Sequence, residues 1–503
     1  MSANTRPDAR PWPALWALVI GFFMILVDTT IVSVAIPTIM ASFGADVSGA
    51  IWVSSSYLLA YAVPLLISGR LGDRYGPKRL FLAGLVVFTL ASLACGLVGT
   101  VTGLIVARVV QGLGASMMSP QTMSFITRLF PASERGKAMA LWGAVAGVAT
   151  LVGPMLGGVL IDTLGWEWIF FINVPVGVVC FALVMRLVPR LEVSPHRFDW
   201  LGVALNAVGL FLIVFGIQEG NTYQWGTIAG PITVWGLIVV GALVMVAFFV
   251  WQRVNRGEPL LPLELFRDRN FAVSNSAIAL VGFAVTSMPF AFMLWAQSAR
   301  GLSPTQAALL NVPLALVTLV LSPWVGGLVD RHHPKKLAAL GTLVWSASLL
   351  GLSALMASPA SIWWAVVPMA FLGLGSSFVW GPLSTAATGN LPRLRAGAGS
   401  GVYNTTRQIG AVLGSAVIAT VMGWRLSVHV GEASLAEIQA NGAELPAQVR
   451  DGVAAAMAEA VLVPAVAIGA VALVALFYER PRHQRADVGS SRPARAPEAG
   501  EVN

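Results

Sequence analysis

Apolar runs of about 20 residues, each bounded by a short polar segment, follow one another along nearly the whole chain. Because a helix rises about 1.5 Å per residue, one such run crosses the roughly 30 Å hydrocarbon core of a bilayer. The pattern therefore predicts an all-α polytopic membrane protein. Its fourteen predicted transmembrane helices are the runs 14–37, 50–69, 80–99, 102–125, 137–161, 168–188, 200–217, 228–252, 271–296, 305–328, 337–357, 362–385, 397–422 and 457–478.

Two loops between these runs have nearly the same sequence, G-R-L-G-D-R-Y-G-P-K-R-L at 69–80 and G-G-L-V-D-R-H-H-P-K-K-L at 326–337. A repeated loop in a helical membrane chain indicates two related halves. If the loops are equivalent, spans 1–6 match spans 9–14, and spans 7 and 8 are an inserted pair. We therefore predict a six-helix bundle at 14–190, an inserted helix pair with linkers at 191–265, a second six-helix bundle at 266–480 and a disordered cytoplasmic tail at 481–503.

The basic residues orient these spans. The formal net charge of +8 suggests a nucleic-acid partner only until the charges are located. With the N-terminus inside, all but five of the 31 Lys and Arg residues fall in predicted cytoplasmic segments, as expected for a membrane protein. An odd number of spans would break this alternation. We therefore predict that both termini are cytoplasmic, that the protein is multi-pass in the cell inner (cytoplasmic) membrane, and that it binds no nucleic acid.

Several motifs occur in a characteristic order along the chain. They are L-V-D-T-T-I-V-S-V-A-I-P in span 1, the 69–80 loop, R-V-V-Q-G-L-G-A in span 4, G-P-M-L-G-G in span 5, I-N-V-P-V-G in span 6 and Y-N-T-T-R-Q-I-G-A-V-L-G in span 13. With these motifs the chain resembles the major facilitator superfamily, and within it the fourteen-helix drug:proton antiporter family of multidrug efflux pumps. Three positions depart from the family pattern: Pro77 and His333 in the repeated loops, and Glu167 after span 5.

Asp28 is the only carboxylate of the first predicted half that lies well inside a span. An ionised carboxylate in hydrocarbon is expensive, so it should face a cavity or a partner. By the helical rise, Asp28 and Arg108 both lie about 9 Å below the outer surface, which makes Arg108 the predicted partner. The resemblance implies that this pair carries proton coupling. The alternatives are a polar residue that only holds the bundle together, and an arginine that snorkels outward.

The repeated loops place charged residues at predicted cytoplasmic helix ends. A carboxylate at a helix N-terminus gains about 0.3–1 kcal/mol from the helix dipole and can pair with a neighbouring arginine. We predict a cytoplasmic gate there that latches the inner face while the cavity opens outward. A purely topological role explains the basic residues equally well, but it does not explain the aspartates. The gate residues are Gly69, Asp73, Arg74, Lys78, Asp330 and Arg331.

A glycine–proline cluster occupies the middle of span 5. Proline removes a backbone hydrogen bond and bends a helix, while glycines allow close helix contact. The resemblance implies an antiporter motif whose bend controls cavity closure and ion leakage, and plain packing is the competing explanation. The residues of this predicted kink are Gly153, Pro154, Gly157 and Gly158.

Aromatic and amide side chains within spans are candidate walls of a substrate cavity, because such surfaces suit flat, partly apolar ligands. Taken alone, each aromatic is better explained as a packing or interface residue. Arg407 lies about 15 Å from the inner end of span 13, where it either stabilises the cavity floor or snorkels inward. The predicted cavity residues are Trp52, Tyr57, Tyr61, Asn206, Trp380, Tyr403, Asn404 and Arg407.

These features predict a proton-coupled exporter of lipophilic drugs or amphipathic small molecules that works by alternating access. The first alternative is a dedicated exporter of one native metabolite, such as an antibiotic, a siderophore or an amino acid. A polytopic membrane enzyme or sensor is remote, because the five histidines are scattered and no nucleotide-binding or H-E-x-x-H pattern occurs. We expect no enzymatic activity, no cofactor and no metal. The expected partners are a small-molecule substrate, protons and the lipid bilayer, while nothing in the sequence indicates a periplasmic adaptor.

Overall fold

The computed structural model describes residues 11–130, 132–191, 193, 199–255, 257, 259–329, 334–388, 396–431 and 446–479. Helices dominate these ranges. The first seven are α1 (Pro11–Phe43), α2 (Val47–Tyr75), α3 (Pro77–Leu97), α4 (Val101–Leu129), α5 (Ala132–Leu164), α6 (Trp168–Phe171) and α7 (Asn173–Leu187). The others are α8 (Trp200–Gln218), α9 (Val234–Val254), α10 (Arg269–Leu294), α11 (Pro304–Leu309), α12 (Val312–Val329), α13 (Pro334–Met356), α14 (Val366–Thr388), α15 (Ala396–His429), α16 (Ala447–Ala460) and α17 (Leu462–Ala475). Single π or 3₁₀ turns cover Leu263–Arg267, Trp295–Ala299 and Ile362–Ala365.

Proline explains three breaks within predicted spans. The sixth predicted span is divided into α6 and α7, the tenth into α11 and α12, and the fourteenth into α16 and α17. Pro175, Pro313 and Pro464 follow these breaks, and each lies four residues after the last residue of the preceding helix. Because proline has no N–H and clashes with the carbonyl four residues earlier, the helix stops there and restarts.

Two helix starts differ from the prediction. The eighth span, predicted from residue 228, begins at Val234 because an antiparallel ribbon of β1 (Thr227–Ala229) and β2 (Ile232–Thr233) precedes it. The last span, predicted from residue 457, begins at Ala447, so the end of the preceding loop extends the helix. The predicted disordered tail, 481–503, lies outside the described residues.

Glycine turns mark the two ends of the helical bundle. The Gly44 end contains the turn between α1 and α2, and the Gly76 end contains the turn between α2 and α3. Gly76 has a φ of 96°, a conformation that a side chain would strain, which explains why the first copy of the repeated loop carries glycine there. The equivalent residue of the second copy, His333, lies outside the described residues.

The helices pack in two groups with one pair between them. In the first group α4 packs on α2 and α3, while α1 packs on α5 and α7. In the second group α10 packs on α15 and α17, and α14 on α12 and α13. The groups meet where α2 contacts α15, α1 contacts α10, and α5 contacts α11 and α12. The pair α8 and α9 pack on each other, and α8 contacts both α2 and α15.

Twelve helical segments in the described part of the chain are long and apolar enough to cross a membrane. The chain is therefore a multi-pass helical membrane protein. The helices α2 and α5 are not among the twelve, although both coincide with predicted spans. The total of fourteen spans and the side of the membrane on which the termini lie stay predictions.

Candidate functional site

Asp28 lies in the interior of α1 and is completely buried. Its carboxylate accepts three hydrogen bonds from the first helix group. Arg108 Nη1 donates to Oδ2 at 2.6 Å, while the Gln111 and Asn173 side-chain amides donate to Oδ1 at 2.8 and 3.1 Å. One cation and two neutral amides therefore stabilise the ionised form of the carboxylate.

Arg108 has further partners on α2 and on α4, its own helix. Its Nη1 also donates to Gln111 Oε1 at 2.6 Å, and its Nε donates to the carbonyl of Val53 at 3.0 Å. Its guanidinium lies 4.0 Å from the centre of the Tyr57 ring, a distance at which a cation interacts with the aromatic face. The side chain is 1% exposed, so it does not snorkel to the surface. The structure thus brings the two predicted coupling residues together, while their role in coupling stays a prediction.

Three partners of the pair were not among the predicted site residues. Gln111 lies three residues after Arg108, on the same face of α4. Asn173 begins α7, and Ser92 on α3 accepts hydrogen bonds from both amides at 3.1 and 2.9 Å. The sequence contains a signal for two of them, since Gln111 and Asn173 stand in the R-V-V-Q-G-L-G-A and I-N-V-P-V-G motifs as lone amides within apolar runs. Sequence alone does not show that they face Asp28.

The hydrogen bonds of Asp28 link three helices. The ion pair is electrically neutral overall, and Asp28 Oδ1 faces only N–H donors in the network described. Its other oxygen, Oδ2, accepts from the Arg108 guanidinium. Both carboxylate oxygens are therefore satisfied by donors of α4 and α7, so the three helices α1, α4 and α7 are tied together at Asp28.

The predicted kink residues of α5 lie against two neighbouring helices. A side chain at Gly157 would meet Ile31 of α1 at 2.5 Å, and one at Gly158 would meet the backbone of Thr305 on α11 at 2.7 Å. Gly153 similarly lies against Thr30, and Pro154 is buried next to it within α5. These glycines therefore let α5 approach both groups of helices at the Gly44 end.

Polar contacts reinforce that approach between the groups. Asp162 Oδ2 near the end of α5 accepts hydrogen bonds of 3.0 Å from the Ser303 hydroxyl and from the Thr305 backbone N–H. The Gln297 amide donates to the carbonyl of Val34 on α1 at 3.0 Å. The Gly44 end is therefore held together across the boundary between the two groups.

Part of the predicted gate lies at the Gly76 end. Lys78 Nζ donates to the carbonyls of Met185 and Val188, at 2.8 and 2.6 Å, and so ties α3 to the end of α7. Arg74 is exposed, and Gly69 is partly buried on α2. The side chain of Asp73, and Asp330 and Arg331 entirely, lie outside the described residues, so the gate stays a prediction.

The predicted cavity residues are distributed over α2, α8, α14 and α15. Trp52 Nε1 donates to Glu219 Oε1 at 2.6 Å, which links α2 to the residue that follows α8. Tyr61 donates to the Ser119 hydroxyl at 2.8 Å, and Tyr57 stacks on Arg108. Asn206 is buried on α8, Trp380 is partly buried on α14, and Tyr403, Asn404 and Arg407 lie within one turn or so of α15. No ligand tests these positions, so a cavity lined by them stays a prediction.

Comparisons with known proteins agree with the fold. Residues 18–415 match the family model of the Major Facilitator Superfamily. The chain also has a TM-score of 0.63 to the crystal structure of a bacterial homologue of the human lysosomal transporter Spinster, with 94% of this chain and 98% of that chain covered. Sequence identity to that structure is 16%, so the match concerns the fold alone.

Three curated proteins are similar over most of their length. An uncharacterised MFS-type transporter of Mycobacterium tuberculosis is 50% identical, over 92% of this chain and 80% of its own. The tetracenomycin C resistance and export protein of Streptomyces glaucescens is 33% identical, over 83% and 77%. The multidrug resistance protein Stp of Mycobacterium tuberculosis is 34% identical, over 81% and 75%.

Proposed function

Because the chain belongs to the major facilitator superfamily, and within it to the drug:proton antiporter family, we propose that it exports lipophilic or amphipathic small molecules in exchange for protons. The membership confirms the resemblance carried by the motifs. It also makes the protein a transporter of small molecules rather than an enzyme. The relatives' names support drug or antibiotic export, and the one named for tetracenomycin C also supports the alternative of a dedicated exporter.

The buried Asp28–Arg108 pair is the observation that carries the coupling proposal. Arg108 and the two amides hold Asp28 as an anion while the surrounding helices are packed. When α4 or α7 moves, Asp28 loses donors and binds a proton. When the helices close again, the donors return and expel that proton. Exchange follows if the substrate and the proton favour opposite arrangements.

The architecture we propose contains fourteen spans. The helices α2 and α5 bring the twelve segments found by length and apolarity to fourteen, because both pack along neighbours that are themselves membrane spans. The basic loops then place both termini in the cytoplasm, the Gly76 end inside and the Gly44 end outside. The protein lies in the inner (cytoplasmic) membrane, with bundles at 14–190 and 266–480 and the inserted pair at 191–265.

Alternating access then requires the two ends to open in turn. The Asp162, Gln297 and Trp52 contacts hold the Gly44 end together and must break for release to the outside. The glycines of α5 allow that closure, because a larger side chain would separate α5 from α1 and α11. At the Gly76 end, the predicted gate around Asp73 and Asp330 forms when the outer contacts break.

Proton release on substrate addition tests this function. Purified protein is reconstituted into liposomes that enclose a pH-sensitive dye, and a panel of neutral, anionic, zwitterionic and cationic lipophilic compounds is added. We expect substrates to move protons in the direction opposite to their own flux, and a protonophore to abolish their accumulation. Accumulation that persists unchanged after the pH gradient has collapsed would contradict proton coupling.

A further inference from the structure

We propose that Arg407 is the centre of a substrate subsite that binds a carboxylate group of the transported molecule. This inference rests on the proposed export function and specifies one chemical class among its substrates. Arg407 lies on α15, about 17 Å along the helix from Ala396, so it is far from either end of this 34-residue helix. Its side chain is only partly buried, so a bound ligand can reach it.

The first observation is the missing counter-charge. Among the described residues Arg407 makes no ion pair and no side-chain hydrogen bond, whereas Arg108 pairs with Asp28 and Arg425 pairs with Glu459. A guanidinium cannot lose its proton to escape this situation. An arginine within a membrane span is expected to have a partner, and no side chain described in this structure supplies it. A ligand carboxylate satisfies the guanidinium through two parallel hydrogen bonds.

The second observation concerns the surroundings of the guanidinium. The Arg407 backbone packs against Gly282 of α10, where even a Cβ atom would clash with the Arg407 carbonyl. Tyr403 precedes Arg407 by four residues and so lies on the same face of α15. This helix packs on α10 and on α2, so Arg407 belongs to a helix that meets both groups, at the boundary that alternating access opens and closes.

Tyr403 adds a free donor to this position. The residue is 8% exposed, and its hydroxyl has no hydrogen-bond partner among the described residues. A buried hydroxyl without a partner is uncommon in native structures and calls for an explanation. Because Tyr403 lies one helical turn before Arg407, a carboxylate at Arg407 can accept from the guanidinium and from this hydroxyl, while the tyrosine ring offers apolar surface to the rest of the ligand.

The charge balance of the interior points to the same ligand. Asp28 and Arg108 cancel one another within a single hydrogen-bonded network, so they contribute little field at a distance. Arg407 therefore sets the sign of the charge that a substrate meets between α2 and α15. A substrate with a carboxylate neutralises it, whereas a rigid dication adds to the unbalanced positive charge.

The test compares a rhodamine that has a free carboxylate with the ethyl ester of the same dye. Equilibrium binding to the full-length protein in detergent is measured without any gradient, for the wild type and for Arg407→Met, Arg407→Lys and Arg425→Met. We expect Arg407→Met to weaken binding of the free acid by about tenfold to a hundredfold, the loss typical of a charge-assisted hydrogen bond. Binding of the ester, which is a monocation, should not weaken and should if anything improve, which also shows that the variant is folded.

Arg425 is the matched control, because it is on α15 five helical turns further along, at about 3.6 residues per turn, and has its own ion pair. Arg425→Met should leave both dyes unaffected, and Arg407→Lys should restore part of the free-acid affinity. The proposal is overturned if Arg407→Met weakens both dyes equally or neither, or if the wild type does not bind the free acid. Those results leave the proposed function standing, because gradient-driven accumulation in liposomes tests that function separately.

Discussion

The interior arginines of the two helix groups differ in their burial and in their hydrogen-bond partners. In the first group, Arg108 is 1% exposed and is held by a carboxylate, an amide, a backbone carbonyl and an aromatic ring. In the second group, Arg407 is partly exposed and has no ion-pair partner among the described residues. The charge and the hydrogen-bond donors of Arg108 are satisfied by the protein itself. The guanidinium of Arg407 has no such counter-charge among the described residues, so a ligand anion is free to supply it.

This difference suggests a division of labour between the groups. A closed, neutral network can store a proton or release it when its helices move, but it has no free bonding capacity for a substrate. An unpaired cation at the boundary of the groups has that capacity, but it cannot titrate. We therefore propose that proton coupling belongs to α1, α4 and α7, and substrate recognition to α15 and its neighbours.

The largest effect is expected from Asp28→Asn. The variant keeps the size of the side chain but cannot bind and release a proton, so pH-driven transport should be abolished. Binding of an uncharged dye should persist, because the substrate position we propose lies on α15. The measurement is gradient-driven uptake in inverted vesicles beside dye binding in detergent. Full uptake by the Asn variant would show that Asp28 does not carry proton coupling.

A stability comparison of the two arginines should give the next largest effect. Arg108→Met leaves the carboxylate of Asp28 buried without its cation, which typically costs about 3–5 kcal/mol. Arg407→Met removes a cation that has no partner, so its cost should be well under 1 kcal/mol, or even a gain. Thermal unfolding in detergent measures both. Equal losses would show that the two environments do not differ as described.

The sequence was sufficient for most of the fold and for the charged pair. Fourteen apolar runs all coincide with helices, because a run long enough to span hydrocarbon must satisfy its own backbone hydrogen bonds. Equal depth along span 1 and span 4 was enough to match Asp28 with Arg108. Depth follows from counting residues along one helix.

What the sequence could not show is the angle at which a side chain leaves its helix. Gln111, Asn173 and Ser92 converge on Asp28 from α4, α7 and α3 only after those helices have packed. The ribbon before α9 was missed for another reason, since its residues continue the apolar run and only the Gly230 turn separates them from the helix.

The amide donors supply the third prediction. Asn173→Leu removes one hydrogen-bond donor from the Asp28 carboxylate, so the anion loses stabilisation and the pH of half-maximal transport should rise. Gln111→Met should shift it in the same direction. Asn173→Leu is the cleaner of the two variants, because Gln111→Met also removes the oxygen that accepts from Arg108 and Cys95.

The control for this shift is Asn275→Leu, which removes a buried amide from α10 and is not among the predicted site residues. It should leave the pH of half-maximal transport where it is. A purely structural role for Asn173 predicts lower activity at every pH with an unmoved midpoint, and that result would count against amide control of the proton.

The smallest effect is expected at Asp199, whose carboxylate accepts the hydrogen bonds described here from neutral donors alone. Asp199 caps α8 through the Gly202 N–H at 2.9 Å and accepts from Trp251 and Gln252 of α9, at 2.7 and 2.8 Å. Burial raises the pKa of Asp199, but these hydrogen bonds outweigh it and hold the pKa below the ordinary value. Asp199→Ala should therefore cost about 1–2 kcal/mol at neutral pH, mainly as looser packing of the inserted pair.

The pH dependence of that loss has a definite sign. Because the pKa of Asp199 is lower in the folded protein, its contribution is complete above the unfolded pKa of about 3.9 and disappears as the pH falls through the lower, folded value. Thermal unfolding of the wild type and of Asp199→Ala should accordingly differ at neutral pH and converge in acid. A difference that stays constant into acid would mean that the pKa of Asp199 is the same in the folded and the unfolded protein. The neutral donors would then only offset the effect of burial, whereas a net stabilisation of the anion would need a cation, as Asp28 has in Arg108.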